Sequence, residues 1–306
     1  MNTSFMTTLS PAEPTIPGAD PSPRKPRASL PAGSCDCHAH LFGPQATYPY
    51  QANRSYTPPD ASEASYRHLL RTLGFQRAVL VQPSVYGTDN RRMLDTLAAQ
   101  APGDDIEWRG VAVVDPSITD GELDRMNRLG IKGIRINLVF PGGISFKAVE
   151  ALAQRVHDFG WHVQFLVDVS RFEDLERKLT GLPTAVVVDH IGHLPAHLGT
   201  WDAGFKALRN MVASGKAWVK LTGPNRISSY AQAPFLDVDP MLRALVDANS
   251  ERCLFGTDWP HVQLPTPIPN DGDLVDEFLR LVESPSLRRR ILVENPALLY
   301  GFDHNS

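Results

Sequence analysis

The 306-residue chain contains little cysteine and no long apolar run. Its three cysteines, Cys35, Cys37 and Cys253, are too few for a disulfide framework and favour a reducing, cytoplasmic location. No apolar stretch approaches the roughly 20 residues that a membrane helix needs. The first 34 residues lack the basic and apolar regions of a secretory signal. We therefore expect neither a disulfide-rich secreted domain nor a membrane protein.

The chain also lacks a strong charge of either sign. Its formal net charge is −4, from 30 Lys and Arg against 34 Asp and Glu, and it has no long basic run. Nucleic acid is therefore not an expected partner, although a local arginine cluster could still bind an anionic small molecule. The sequence leaves open whether the chain forms homo-oligomers.

The N-terminal 34 residues differ in composition from the rest of the chain. They contain seven prolines together with Ser, Thr and Ala, which predicts a flexible arm that need not pack. A strap docked on the main domain is the alternative. We expect a single catalytic domain over residues 35–302 and a short tail over 303–306.

Short apolar runs alternate with amphipathic segments from residue 35 onward. Runs without polar alternation are typical of parallel strands that are buried on both faces. Eight such units predict an α/β fold of the (β/α)8 TIM-barrel type. An open doubly wound sheet is the rival, but no GxGxxG loop follows the first run. The predicted strands are Cys35–His40, Ala78–Ser84, Trp108–Asp115, Gly133–Leu138, His162–Asp168, Ala185–Ile191, Ala217–Gly223 and Cys253–Trp259.

Capping residues and apolar spacing predict several of the intervening helices. Thr119 is followed at the third position by Glu122, as in a capping box, and Ser170 is a candidate N-cap. Glycines end several of the segments. The predicted helices cover residues 62–73, 119–130, 146–159, 171–180, 272–283 and 285–299.

Ionisable residues collect at the carboxyl ends of the predicted strands. Active sites of TIM barrels lie at this end, and polar groups there are costly for a core unless they share a pocket. His38 and His40 are two positions apart, so both side chains should point to the same side of strand 1. His190 ends strand 6 and Asp258 ends strand 8. This pattern predicts a site in which Asp258 is a general base or a metal ligand.

Several segments together resemble the amidohydrolase superfamily. Within it, the chain is similar to the 2-pyrone-4,6-dicarboxylate lactonase group and its sulfomuconolactone- and sugar-lactone-processing relatives. The resemblance runs from about residue 35 to 302. The residues that carry it are DCHAHLFGP at 36–44, Ser55-Tyr56, LGFQRAVLVQPSVYGTDN at 73–90, RGVAVVDP at 109–116, GIRIN at 133–137, VVVDHIG at 186–192, FGTDWPH at 255–261 and NPALLY at 295–300.

The resemblance implies a (β/α)8 carboxylic ester hydrolase that opens a lactone, a cyclic ester. In the metal-free members of the group, the strand-8 Asp takes a proton from water while histidines and an arginine polarise the carbonyl. Carried over to this chain, Asp258 is the base and Arg226 assists at the developing oxyanion. His38, His40 and His190 would face the ester oxygen.

The resemblance also implies which residues bind the substrate. Arg135 would pair with a substrate carboxylate, because its planar guanidinium gives two parallel hydrogen bonds. Tyr56 and Ser84 would be neighbouring donors. The lactonase group has a further arginine shortly after its strand-4 motif, whereas this chain reads NLVFPGG at 137–143. This departure weakens the assignment to the pyrone dicarboxylate more than it weakens lactone hydrolysis, and a sulfonated muconolactone or an aldarolactone would fit as well.

Metal-dependent relatives supply a strand-5 His and often a strand-4 Lys, which this chain lacks at the matching positions. His162 stands at the start of strand 5, the opposite end. We therefore expect no two-metal centre, and no metal requirement. The alternative is one divalent ion, with zinc the best match, on His38, His40, His190 and Asp258.

Other functions fit the same residues. A sugar-acid lactone isomerase or hydrolase and a mononuclear-zinc sulfomuconolactone-type hydrolase are the alternatives to a metal-free lactonase. Decarboxylation or hydration is a third enzymatic class, and a barrel that binds its ligand without turnover is the non-enzymatic one. The poised carboxylate at Asp258 argues against a binding protein, which needs no base.

Overall fold

The structure, a computed structural model, describes residues 13–139, 145–264 and 267–303. Eight parallel strands form one sheet in sequential order from β1 to β8. The strands are β1 Cys35–Ala39, β2 Arg77–Val81, β3 Glu107–Ala112, β4 Ile131–Asn137, β5 His162–Leu166, β6 Val186–Val188, β7 Ala217–Lys220 and β8 Cys253–Leu254.

The sheet closes into a barrel between β8 and β1. The Cys37 amide donates to the Phe255 carbonyl at 2.9 Å, and the His40 amide donates to the Trp259 carbonyl at 2.8 Å. Ala39 and Trp259 form a parallel bridge. The predicted (β/α)8 barrel is therefore confirmed.

Helices follow the strands and cover the outside of the barrel. Their bounds are α1 Glu63–Leu73, α2 Arg91–Ala98, α3 Asp120–Arg128, α4 Phe146–His157, α5 Leu175–Thr180, α6 Ala203–Ala213, α7 Pro224–Ile227, α8 Asp239–Asn249, α9 Asp271–Leu281, α10 Pro285–Arg289 and α11 Asn295–Tyr300. Within the described residues, no helix is long and apolar enough to cross a membrane.

Local capping explains where the helices begin. The Thr119 side chain accepts a hydrogen bond from the Glu122 amide, as expected for the start of α3. The prediction that Ser170 caps a helix from residue 171 is wrong. The Asp168 side chain instead accepts a hydrogen bond from the Ser170 amide at the start of a 3₁₀ turn, and α5 begins only at Leu175.

The C-terminal helical segment contains a π-helical insertion over Arg290–Glu294, between α10 and α11. Pro296 follows at the second position of α11 and has no amide hydrogen. In the π-helical segment the Asn295 amide donates to the Arg290 carbonyl, five residues earlier. Beyond this segment, Tyr300 and Phe302 pack against Cys35, Cys37 and Val79 in a separate apolar cluster.

Part of the proline-rich N-terminal segment lies against the barrel. The Arg24 amide donates to Asn270 Oδ1 at 2.9 Å, and the Thr15 amide donates to the Thr57 carbonyl at 2.8 Å. These contacts of Thr15 and Arg24 agree with the alternative of a docked segment for residues 15–24. Residues 1–12 and 304–306 lie outside the described residues, so the predicted outer boundaries of arm and tail stay predictions.

Candidate active site

The site lies at the carboxyl ends of the strands, where the sequence predicts it. A cavity of about 380 Å³ opens there. Seven of the eight predicted site residues line it: His40, Tyr56, Ser84, Arg135, His190, Arg226 and Asp258. His38, the eighth, is fully buried directly behind them.

A bulge in β1 lets both histidines of the HxH pair face the site. Asp36 pairs with Ala78 of β2, but Ala39 pairs with Leu80, so β1 carries one extra residue. Strict alternation would give Cys37 and His38 opposite directions. Because of the extra residue, Cys37 and the following His38 both face the inside of the sheet. Cys37 packs in the apolar cluster there, and His38 is directed towards Lys220 and Asp258.

Three imidazoles converge on one carboxylate oxygen. The Nε2 atoms of His38, His40 and His190 lie 3.7, 3.9 and 3.9 Å from Asp258 Oδ1. Within the described part of the chain, neither Asp258 Oδ1 nor His38 Nε2 has a hydrogen-bond partner, although both are buried. Buried polar atoms are rarely left unpaired, so this cluster has the character of a ligand or water site.

Arg226 holds the other oxygen of the same carboxylate. Its Nε donates to Asp258 Oδ2 and its Nη2 donates to the Val262 carbonyl at 2.9 Å. Two of the three guanidinium nitrogens of Arg226 are therefore engaged by the protein, and its assistance at the oxyanion stays a prediction. Its position leaves Asp258 Oδ1 directed at the histidines.

The imidazoles are neutral bases or donors rather than cations. Burial lowers the pKa of His40 to about 4, and the positive charge of Arg135 contributes. Burial also lowers the pKa of His38 and His190 well below the usual value. His40 Nδ1 lies 2.7 Å from the Val81 carbonyl, which can only accept, so the proton of the neutral ring sits on Nδ1. His40 Nε2 therefore presents a lone pair to the cavity.

A buried charge network behind His38 was not assigned from the sequence. Lys220 Nζ donates to the Cys37 carbonyl and to Gln164 Oε1, both at 2.8 Å, and lies 3.3 Å from His38 Nδ1. Asp189 Oδ1 lies 3.4 Å from the same His38 nitrogen and 3.6 Å from Lys220 Nζ. Lysine and aspartate within otherwise apolar strand runs were the available signal, since buried charges of opposite sign usually pair.

The charges of this network shift one another's titration. Burial alone would raise the pKa of Asp189, but the positive charges of Lys220 and Arg135 outweigh it and lower that pKa. Burial is also the main reason why the pKa of Lys220 is lowered. Arg135 lies with Nε 3.4 Å from Asp189 Oδ2, so this arginine lines the cavity and also forms a salt bridge.

The remaining predicted residues, Tyr56 and Ser84, also line the cavity. Tyr56 is buried, and burial raises the pKa of its hydroxyl to about 12. His193 lines the cavity as well and was missed. His190 to His193 all have positive φ angles, and this left-handed turn directs both histidines of the segment to the site. The spacing HIGH alone does not reveal such a turn.

Two overlapping groups of side chains have the donor chemistry of a metal site. The first is His38, His40 and Asp258, and the second is His38, Asp189 and His190; within each group the ligand atoms lie within 4.8 Å of one another. The first group fits a divalent ion, because it contains buried atoms without protein partners. The second is already neutralised by Lys220, whose ammonium lies 3.6 Å from Asp189. This positive charge disfavours binding of a cation by the second group.

Comparison with known proteins supports the architecture and the class of chemistry. The amidohydrolase family model matches residues 35–302. The chain is 38% identical to 2-pyrone-4,6-dicarboxylate hydrolase of Comamonas testosteroni, over 91% of this chain and 93% of that protein. It is 34% identical to 4-sulfomuconolactone hydrolase of Rhizobium radiobacter, over 89% and 91%. A crystal structure of an apo protein from Agrobacterium tumefaciens superimposes with a TM-score of 0.80 at 26% identity, covering 91% of this chain and 99% of that one.

Proposed function

The chain belongs to the amidohydrolase family, and we propose that it hydrolyses the lactone ring of a small anionic substrate. One observation carries the proposal: three imidazole Nε2 atoms lie within 3.7–3.9 Å of a single unpaired oxygen of Asp258. The named activities of the two relatives both concern lactones that carry acidic groups. A cytoplasmic location remains a prediction from the low cysteine content.

In this proposal Asp258 is the general base. A water between Asp258 Oδ1 and His40 Nε2 would donate one hydrogen bond to each, which leaves an oxygen lone pair directed at the ester carbon; Asp258 would take one proton as the oxygen attacks, and the other hydrogen would stay on that oxygen. The His40 geometry supports this role, because its Nδ1 proton is committed to the Val81 carbonyl. Arg226 orients the base by fixing Asp258 Oδ2. Correctly placed general bases contribute a rate factor of about 10² to 10⁴.

The developing oxyanion needs hydrogen-bond donors, which His38 and His190 can supply. An ammonium has only donors, so the contact from Lys220 to His38 Nδ1 favours the tautomer with its proton on Nε2. His38 Nε2–H then points into the cluster as a preplaced donor. One such donor is worth about 3 kcal/mol in the transition state.

We assign substrate selection to the part of the cavity lining that contains the positively charged Arg135. We assign Arg135 to a substrate carboxylate, with Tyr56 and Ser84 as donors beside it. All three line the same cavity. Residues 140–144, part of the segment where the lactonase group has a further arginine, lie outside the described residues.

The proposed reaction requires no metal. If an ion is bound, His38, His40 and Asp258 would hold it. It would lower the pKa of a bound water and polarise the ester carbonyl. His38 could then be a ligand only with its proton on Nδ1, facing Asp189 Oδ1 at 3.4 Å.

A panel of lactones with zero, one or two acidic substituents tests the proposal. Ring opening releases about one proton near neutral pH, which a pH indicator follows. We expect turnover of the anionic lactones, and a preference for them that falls by roughly one to two orders of magnitude in Arg135→Gln. A preference for neutral lactones would refute the role of Arg135. Formation of an isomer without proton release would refute hydrolysis.

A further inference from the structure

We propose that residues 15–24, here called the strap, are a positioning element that holds Tyr56 in the substrate cavity. The inference rests on the proposed function, because Tyr56 is assigned there to substrate binding. Its structural part, a link between the strap and the wall of the site, stands on contacts outside the catalytic cluster.

The first contact is a reciprocal pair between Thr15 and Thr57. The Thr15 amide donates to the Thr57 carbonyl at 2.8 Å, and the Thr57 amide donates to Thr15 Oγ1 at 2.8 Å. Thr57 follows Tyr56 directly in the chain. Tyr56 is only 5% exposed and lines the cavity. The strap therefore fixes the backbone immediately beside a proposed substrate ligand.

The other end of the strap is anchored on α9. The Arg24 amide donates to Asn270 Oδ1 at 2.9 Å, and the Arg24 guanidinium contacts Asp276 at 2.6 Å as well as Asp273. Asn270 in turn donates to Asp20 Oδ2 at 2.8 Å. This anchor lies in the βα connection that also carries Asp258. The strap thus ties the connection after β1 to the connection after β8.

A glycine in α9 makes room for this docking. A Cβ atom built on Gly272 would lie 2.2 Å from the Arg24 carbonyl oxygen and 2.9 Å from its carbon, so the strap must move if that atom is present. Gly272 is the second residue of α9, where alanine is otherwise the better helix former. Gly272→Ala is therefore expected to displace the strap without weakening the helix or touching the cavity.

The chain contains a matched control for this variant. Gly121 is the second residue of α3 and likewise follows an aspartate, and a Cβ there would meet nothing within 4 Å. Gly121→Ala makes the same chemical change at the same helix position, away from the strap. At the other anchor, Thr15→Val removes the hydroxyl acceptor while keeping the shape, and Thr15→Ser restores it.

The test combines hydrogen exchange with steady-state kinetics on 2-pyrone-4,6-dicarboxylate, or on the best anionic lactone of the panel. We expect faster amide exchange over residues 54–61 in Gly272→Ala and Thr15→Val. We also expect KM to rise roughly three- to tenfold with kcat within twofold, the size and signature of one weakened binding contact. Gly121→Ala and Thr15→Ser should behave as the native chain.

The outcomes separate this inference from the proposed function. Faster exchange with unchanged KM would show that the strap is only structural and would overturn the positioning role. Unchanged exchange in both Gly272→Ala and Thr15→Val would overturn the link itself. If the native chain opens no lactone of the panel, the proposed function fails, while the exchange measurement still decides whether the strap holds the loop of Tyr56.

Discussion

Replacing Asp258 by asparagine probes the proposed reaction most directly. The asparagine side chain can still accept the hydrogen bond of Arg226 through its carbonyl oxygen. Its amide group then faces the imidazoles in place of Oδ1, which lies 3.7 Å from His38 and 3.9 Å from His40. The substitution keeps shape and volume, and it removes the group that takes the proton from water.

The expected loss follows from what the amide cannot do. It cannot accept a proton, so the general-base contribution of about 10² to 10⁴ disappears. Its N–H also competes for the His40 Nε2 lone pair, which the attacking water needs. We therefore expect kcat/KM to fall by a factor at the upper end of this range, about 10³ to 10⁴. This loss corresponds to an increase of roughly 4 to 5.5 kcal/mol in the activation barrier.

Proton release from the preferred lactone measures this loss, and Asp271→Asn is the matched control. Asp271 is as buried as Asp258 and also contacts a histidine, with Oδ1 2.9 Å from His261 Nε2, but it does not line the cavity. The control should lose stability and retain kcat/KM per folded molecule. Retention of more than a tenth of native activity by Asp258→Asn, with its fold intact, would refute the assignment of the base.

Two further predictions concern the metal and the base of the barrel. Dialysis against a strong chelator should leave lactonase activity unchanged; loss of activity with recovery on added zinc would instead assign His38, His40 and Asp258 as ligands. His162, buried where β5 begins, has a pKa lowered to about 3, with burial as the main cause. The folded state thus favours the neutral ring of His162. The free energy of unfolding therefore keeps its full value with respect to this group above pH 6.5, and it decreases as the pH falls, by about 3 kcal/mol at pH 4. Urea unfolding at both pH values should show this loss in the native chain relative to His162→Phe, and parallel curves would contradict it.

The sequence predicts the barrel well because burial imposes a simple pattern on each strand. Runs such as Val186–Val188 are apolar on both faces, and the structure buries all three residues. The ends of the strands are predicted less well. The eighth run was expected to continue to Trp259, but β8 is only Cys253–Leu254. The regular strand stops there, although Phe255 and Trp259 still accept main-chain hydrogen bonds from Cys37 and His40.

The sequence also indicates which residues are candidates for the site, but it does not predict how their side chains are arranged. Ionisable residues at strand ends identify His38, His190 and Asp258 as candidates. The bulge in β1 and the left-handed turn from His190 to His193 decide where these rings point, and both are unusual backbone conformations. Neither is favoured by the residue types concerned, since only Gly192 in that turn adopts positive φ freely. Tertiary packing must therefore impose them.

Closure of the barrel is what brings the base to the histidines. Asp258 has φ +68°, and its amide donates to the His38 carbonyl at 2.8 Å. The next residue, Trp259, accepts from the His40 amide at 2.8 Å. Main-chain hydrogen bonds to the strand segment that carries His38 and His40 thus fix the position of the carboxylate relative to the two imidazoles. Because this register does not depend on attraction between the side chains, the acidic oxygen can remain unpaired by protein and stay available to a water molecule, which is what a general base at this position requires.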